Sequence, residues 1–361
     1  MLEKLEMTPL LKTKPQVRQD KIIIVCKKEW QGLFTTGYNL QSCYSDAFDI
    51  CSSSYFIKHI DKFSGHTVLL IGSWDNDYDH ILQNHSGRKF LFWPHPPLKS
   101  ELSHSPSYGM GVEANQLEHI MSMVGWRGIE KVFVSDRGIS LLHKNFEYMP
   151  VLVEEKISFE KAGKVENSVG CFFEHTSKKN ILSQMIAVNI SGMDLYMNNS
   201  PMPDYIKSFI RTFDLKINKI DINYFKRERS NNFSHLSSML VNLQVTPSDE
   251  CNHSSVESFL CGTPCIYSPS SVLAGRDEDL DNICLINRVD DTLSISKKIK
   301  ELLEDKEKYE RSLHLANKVI EDINIDNSKD IRNCISIMRA ENEFSREIKG
   351  LYYRKEGRFE S

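Results

Sequence analysis

Four short runs of unbroken apolar character constrain this chain more than anything else in it. They are Lys21-Ile-Ile-Ile-Val-Cys26, Thr67–Ile71, Lys89–Trp93 and Lys131–Ser135. A strand that is apolar at every position, not at alternate ones, is covered on both faces. Helix-length stretches separate the runs; in Glu113–Val124, Leu117, Ile120, Met121 and Val124 recur at helical spacing. Strand and helix alternating at this rhythm predict a parallel sheet with crossover helices. The rhythm fades over the charged stretch 151–167 and then resumes. Strands are expected at Ser168–Phe173, Met193–Met197, Lys219–Ile222, Val241–Thr246 and Cys265–Tyr267, and helices at Lys179–Ile190, Tyr205–Phe213, Leu236–Met239 and Ser254–Cys261. From Thr292 onward the pattern is helical.

The expected fold class is therefore α/β, with two Rossmann-like domains facing a cleft and a helical C-terminal tail. A leader occupies 1–20, a first domain 21–155, a second 165–334, and a final helix 335–361 packs back on the first domain. With 361 residues the chain is too long for one core and suits two in series. Its 40% apolar and 26% charged content is that of a globular protein, and a net charge of −4 leaves no overall basic field for nucleic acid. Nine cysteines without a CxxC pair predict reduced thiols. The first twenty residues lack the apolar core of a signal peptide, and the longest apolar runs fall well short of a bilayer span, so a cytoplasmic protein without a membrane span is expected.

In paired doubly wound domains, ligands sit beyond the carboxyl ends of the strands. The most informative residues there are Val241 to Ser268, VNLQVTPSDECNHSSVESFLCGTPCIYS. A buried strand delivers Asp249 into a loop, and the following helix carries Glu257. The amino end of that helix brings unpaired N–H groups, which suit phosphate oxygens, while a carboxylate suits sugar hydroxyls. Helix capping by Asp249, Glu250 and Asn252 is the plainer alternative.

This stretch resembles the donor-site signature of retaining GT-B glycosyltransferases, the group of glycogen and sucrose synthases. Ser248, Asp249, Glu257, Gly262, Thr263 and Pro264 fall at the matching spacings. The first acid is Asp where the family commonly has Glu, which leaves neighbouring Glu250 as the other choice. The resemblance implies that Glu257 binds the ribose of a nucleotide-diphosphate sugar, and that Asp249 with the loop amides holds the sugar hydroxyls.

A second stretch, Val169 to Asn180, ends a strand, crosses a polar loop and places Lys178, Lys179 and Asn180 in the first turn of a helix. Cations there oppose the helix dipole unless an anion binds; a solvated lysine pair is the plainer reading. The resemblance implies that Lys179 contacts the diphosphate, with Lys178 beside it standing in for an absent arginine. Thr36 and Gly37 fall in what reads as a glycine loop after the first strand, where the resemblance places the transferred sugar. His95, held among prolines after Lys89–Trp93, is a candidate to bond the sugar or acceptor, with Glu101 and Glu113 beyond it. Asp75-Asn76-Asp77 reads as a polar turn, and Cys261 with Cys265 as buried core.

The resemblance further implies a UDP-sugar as the expected co-substrate, no metal, no permanently bound cofactor, and retention of configuration. The acceptor is open: polysaccharide, lipid-linked glycan, protein, or a hydroxymethylated pyrimidine in duplex DNA. The overall look is similar to glycosyltransferases of large bacterial viruses, which would place the enzyme in the host cytoplasm. Seven Lys/Arg against three acids in residues 1–28, and Tyr352-Tyr-Arg-Lys355 in the tail, are compatible with DNA phosphates. A nucleotide-sugar epimerase or a non-transferring binding protein of the same fold is the rival reading. The sequence sets no oligomeric state.

Overall fold

The computed structural model describes residues 21–27, 31–72, 76–94, 124, 128–135, 137–141, 143–153, 159–172, 179–198, 202–215, 217–220, 229–247 and 253–340. Among them two parallel sheets form. The first holds β1 (Ile22–Cys26), β2 (Phe48–Ser52), β3 (Val68–Ile71), β4 (Lys89–Trp93), β5 (Ile129–Val134) and β6 (Phe146–Tyr148), in the order β2-β1-β3-β4-β5-β6. The second holds β7 (Ser168–Cys171), β8 (Asp194–Asn198), β9 (Ile217–Ile220), β10 (Val241–Gln244) and β11 (Cys265–Tyr267), in the order β11-β10-β7-β8-β9. Every pairing in both sheets is parallel.

All five residues of β1 are buried, and alternate side chains enter different cores. Ile23 and Val25 pack with Phe56, Tyr78 and Trp93 on one face. Ile22, Ile24 and Cys26 pack on the other with Leu40, Phe48 and a distant quartet, Ile331, Cys334, Ile335 and Met338. That quartet belongs to the helix Lys306–Arg339, whose 34 residues run between the domains. Its earlier residues Ala316, Val319, Ile320 and Ile323 are buried in the core of the second sheet. Fully burying a side chain such as Ile331 or Met338 is worth about 1.5–3 kcal/mol, so the helix end is firmly seated on the first domain.

A cation completes that seat. Arg88, just before β4, makes a bidentate pair with Glu130, its Nε lying 2.9 and 3.0 Å from the two carboxylate oxygens. Its Nη1 donates to the carbonyls of Met338, at 2.9 Å, and Ala340. These are carbonyls that the helix end leaves without intrahelical partners, and a cation suits the negative pole of the helix dipole.

Three sequence expectations need correction. Residues 31–43 are not a loop: Gln31–Cys43 is a helix, and its polar Thr36 and Asn39 are buried. Asn39 escapes an unpaired amide by donating to the Leu152 carbonyl at 3.3 Å. The helix expected from Lys179 starts at Ile181, because Asn180 takes a left-handed conformation (φ +51°) and breaks the spiral before it. The stretch 159–167, read as a loose linker, has no regular structure but is anchored: Lys164 Nζ donates to Met239 O and Thr263 Oγ1, each at 2.7 Å, and Val165 N to Ser238 O at 2.8 Å. The expected leader 1–20, most of the helix Glu113–Val124 and the tail beyond 340 lie outside the described residues.

Candidate functional site

In the second sheet the direction of strand addition reverses between β7 and β10, which lie side by side with Val169 opposite Val241 and Gly170 opposite Asn242. At such a reversal the connections leaving two neighbouring strands diverge to opposite faces, which opens a crevice at their carboxyl ends. Glycine at 170 leaves room for the side chains that pack over this pairing. A Cβ there would lie 2.2 Å from Asn242 Oδ1 and 2.5 Å from Phe172 Cε2.

Both candidate segments emerge at this crevice. After β7 the chain returns at Lys179 and enters the helix Ile181–Ser191. After β10 it returns in the helix His253–Leu260, which carries Glu257 half-buried between fully buried Val256 and Ser258. That helix ends at Gly262 (φ +81°), where Gly262 N and Thr263 N bond back to Phe259 O and Ser258 O at 2.9 and 3.0 Å. A left-handed residue there is cheapest as glycine. Thr263 is buried, and Pro264 O receives Asn242 N at 2.9 Å, so this turn fixes the helix against β10.

The end of β10 is held from both sides. On one side, Gln184 from the first helix turn reaches across: its Nε2 donates to Lys179 O at 2.7 Å, and its Oε1 accepts Val245 N–H at 3.0 Å. Asn180 Nδ2 donates to Val245 O at 3.2 Å and to Val289 O. On the other side, Thr246 N donates to Ser268 Oγ at 3.1 Å, and the hydroxyls of Ser268 and Ser270 both donate to Thr246 O. Lys179 is thus tied through its own carbonyl to the strand whose connection leads to Glu257. Sequence reasoning missed Gln184. Its only signal was a lone amide in a mostly apolar helix stretch, ILSQMIAV.

The other candidates fare differently. Lys178, Asp249, Glu250 and His95, with Glu101 and Glu113, lie outside the described residues. Thr36 and Gly37 are in the first domain's opening helix. A Cβ on Gly37 would stand 3.1 Å from Ile24 Cγ2 and Ile50 Cδ1 and 3.3 Å from Ile71 Cδ1, so the glycine lets this helix lie close on the sheet. Of the polar turn 75–77, Asn76 and Asp77 open the helix Asn76–Asn84, and Ser53 Oγ donates to Asp77 at 2.6 Å. Cys261 and Cys265 are buried, and burial pushes the Cys265 thiol well above its ordinary range. Among the described residues no group of three or more His, Cys, Asp or Glu is placed to hold a metal ion. No helix among them is long and apolar enough to cross a membrane.

No known family's sequence profile matches the chain, and no curated protein matches it by sequence. Solved structures do match by shape. A sucrose-phosphate synthase from Thermosynechococcus elongatus superposes with a TM-score of 0.63 at 10% identity, over 88% of this chain and 100% of that one. TarM superposes at 0.59 and 13% identity over 80% of this chain, and the match spans 58% of TarM's length. The pneumococcal O-GlcNAc transferase GtfA, solved with UDP and GlcNAc, gives 0.55 at 12% identity over 80% of this chain and 60% of its own. The chain has the GT-B fold. At such low identities the likeness is one of architecture, and the roles of its residues rest on the chain's own chemistry. In the GT-B frame, the reversal between β7 and β10 is the crevice of the C-terminal domain.

Proposed function

We propose that the chain is a nucleotide-sugar-dependent glycosyltransferase, moving a hexosyl or pentosyl group from a UDP-sugar to an acceptor hydroxyl with retention of configuration. One observation carries this reading: the Lys179 turn and the Glu257 helix leave neighbouring strands at the strand-order reversal of the second sheet. Glu257 accepts hydrogen bonds from the ribose hydroxyls. Lys179, joined by Lys178, neutralises the diphosphate as the glycosidic bond breaks and charge grows on the leaving oxygen. That oxygen takes the acceptor's proton, and with the lysines and the helix amino end neutralising the diphosphate the reading calls for no metal. Asp249 or Glu250 holds the sugar's hydroxyls, and His95 meets the sugar or acceptor from the first domain.

Gly37 and Thr36 have no part in this reading, since both are buried within the first domain's opening helix, Gly37 on its face against the sheet. The first acceptor to try is a hydroxymethylated pyrimidine in duplex DNA, which rests on the sequence resemblance; polysaccharide and lipid-linked glycan follow. A base in a duplex must leave the stack before its hydroxymethyl oxygen can reach the donor.

The test is a panel of UDP-, GDP- and ADP-sugars scored by thermal shift, followed by label transfer to hydroxymethylated DNA, glycan and lipid-linked acceptors. A thermal shift with a UDP-sugar and transfer of its label is the expected result. Conversion of free nucleotide sugar to an epimer, with no label on any acceptor, would replace the transferase by the epimerase reading.

A further inference from the structure

The backbone of Val245 is handled in an unusual way. Among the described residues, β10 pairs with β7 at Val241 and Asn242, and Val245 is the first residue beyond the strand. Two side-chain amides bond its backbone N–H and carbonyl. Gln184 Oε1 accepts the Val245 N–H at 3.0 Å, and Asn180 Nδ2 donates to the Val245 carbonyl at 3.2 Å.

The orientation of the Gln184 amide is fixed by its partners. A peptide N–H can meet only its oxygen, and the carbonyls of Lys179 and Asn180, at 2.7 and 3.4 Å, can meet only its nitrogen. Gln184 is fully buried, so no water substitutes for either set of bonds. Packing alone would be served as well by Leu or Met, and the amide's desolvation must be matched bond for bond. What the amide adds is register. It fixes the carbonyl of Lys179 against the first residue beyond β10.

Resting on the glycosyltransferase reading, we propose that Gln184 is a positioning residue of the donor site, which sets Lys179 against the nucleoside diphosphate. It touches no substrate. Its effect falls on the diphosphate and not on the nucleoside, because the Lys179 turn is the element it holds.

Calorimetric titration of UDP and of uridine into the wild type, Gln184→Met, Lys179→Ala and the double variant tests this. Gln184→Met keeps the volume and removes the polar bonds; Gln184→Glu, which keeps an acceptor for Val245 N–H, serves if the first does not fold. The expected result is a loss of UDP affinity of about tenfold, with uridine affinity within about twofold, and losses from Gln184 and Lys179 that do not add. Equal losses for UDP and uridine, or fully additive ones, would overturn the proposal. So would failure of both Gln184 variants to fold, which would make the residue part of the fold alone. If Lys179→Ala lowers UDP affinity while Gln184→Met does not, only the positioning role falls. A wild type that binds neither UDP nor a nucleotide sugar ends the site reading itself.

Discussion

Replacing Arg88 with alanine probes how the long C-terminal helix is held to the first domain. Arg88 and Glu130 are each about a quarter exposed at the side chain (26% for both), so their ion pair is sheltered but not sealed. The guanidinium also lies 5.0 Å from the centre of the Phe90 ring and bonds the carbonyls of Ile337, Met338 and Ala340. A hydrogen bond to a charged group contributes about 1.5–3 kcal/mol. Cation placement at a helix carboxyl end adds about 0.3–1, and a partly exposed cation over the buried Phe90 ring about 0.5–2. These contributions share one group and do not sum, so a loss of about 2–4 kcal/mol is expected for Arg88→Ala. A two-domain chain need not unfold in one step. Hydrogen exchange at the amides of 334–338 therefore reads the change better than a melting curve. At roughly tenfold per 1.4 kcal/mol, their exchange should quicken about 30- to 700-fold, while the amides of 316–323, seated on the second domain, hold steady. Arg88→Lys keeps the charge and loses the fork, and should fall between. Exchange at 334–338 unchanged in Arg88→Ala would show that the helix end is held without Arg88.

Gly170→Ala forces a Cβ to within 2.2 Å of Asn242 Oδ1 and 2.8 Å of Met239 Cγ, and should destabilise the second domain by about 1–3 kcal/mol or more in urea titration. Gly37→Ala should be mild, because helix propensity favours alanine by about 1 kcal/mol against contacts of 3.1–3.3 Å; unchanged UDP affinity in that variant checks that Gly37 only packs. His85, buried in the first domain, bonds the His66 carbonyl through Nε2 at 2.8 Å, and its Nδ1 has no partner among the described residues. Burial above all, with Lys89 and His66 adding, holds its pKa below the ordinary histidine value. The unfolded chain then binds the proton first, so this contribution to stability is full above the ordinary value and is lost as pH falls below it. Urea midpoints at pH 7.5 and 5 should therefore differ less in His85→Gln, which keeps a donor and cannot titrate, than in the wild type.

β1, β3 and, after Lys89, β4 were legible because each is apolar at every position, a pattern that no amphipathic helix or exposed loop shares. β2 and β6 were not. Phe48–Ser52 and Phe146–Tyr148 are edge strands that bury Phe48 and Phe146 and leave the rest half-covered, so their residues carry no continuous run. Gly37 misled because Thr-Thr-Gly-Tyr-Asn looks like a turn, and the reason for its helix lies in contacts with Ile24, Ile50 and Ile71 from three strands. Glu257 and Lys179 could be singled out from local spacing. Gln184 and Arg88 act through backbone groups far along the chain, Val245 for one and Met338 for the other, and no local pattern announces such a partner.

The most direct test of the account is titration calorimetry of UDP into the wild type and Glu257→Ala, with circular dichroism to show that both are folded. Loss of a charged hydrogen bond to the ribose, about 1.5–3 kcal/mol, predicts affinity weakened about ten- to a hundredfold in a variant whose spectrum is unchanged. Equal affinity in the two proteins, or a wild type that binds none of UDP, GDP and ADP, would contradict it.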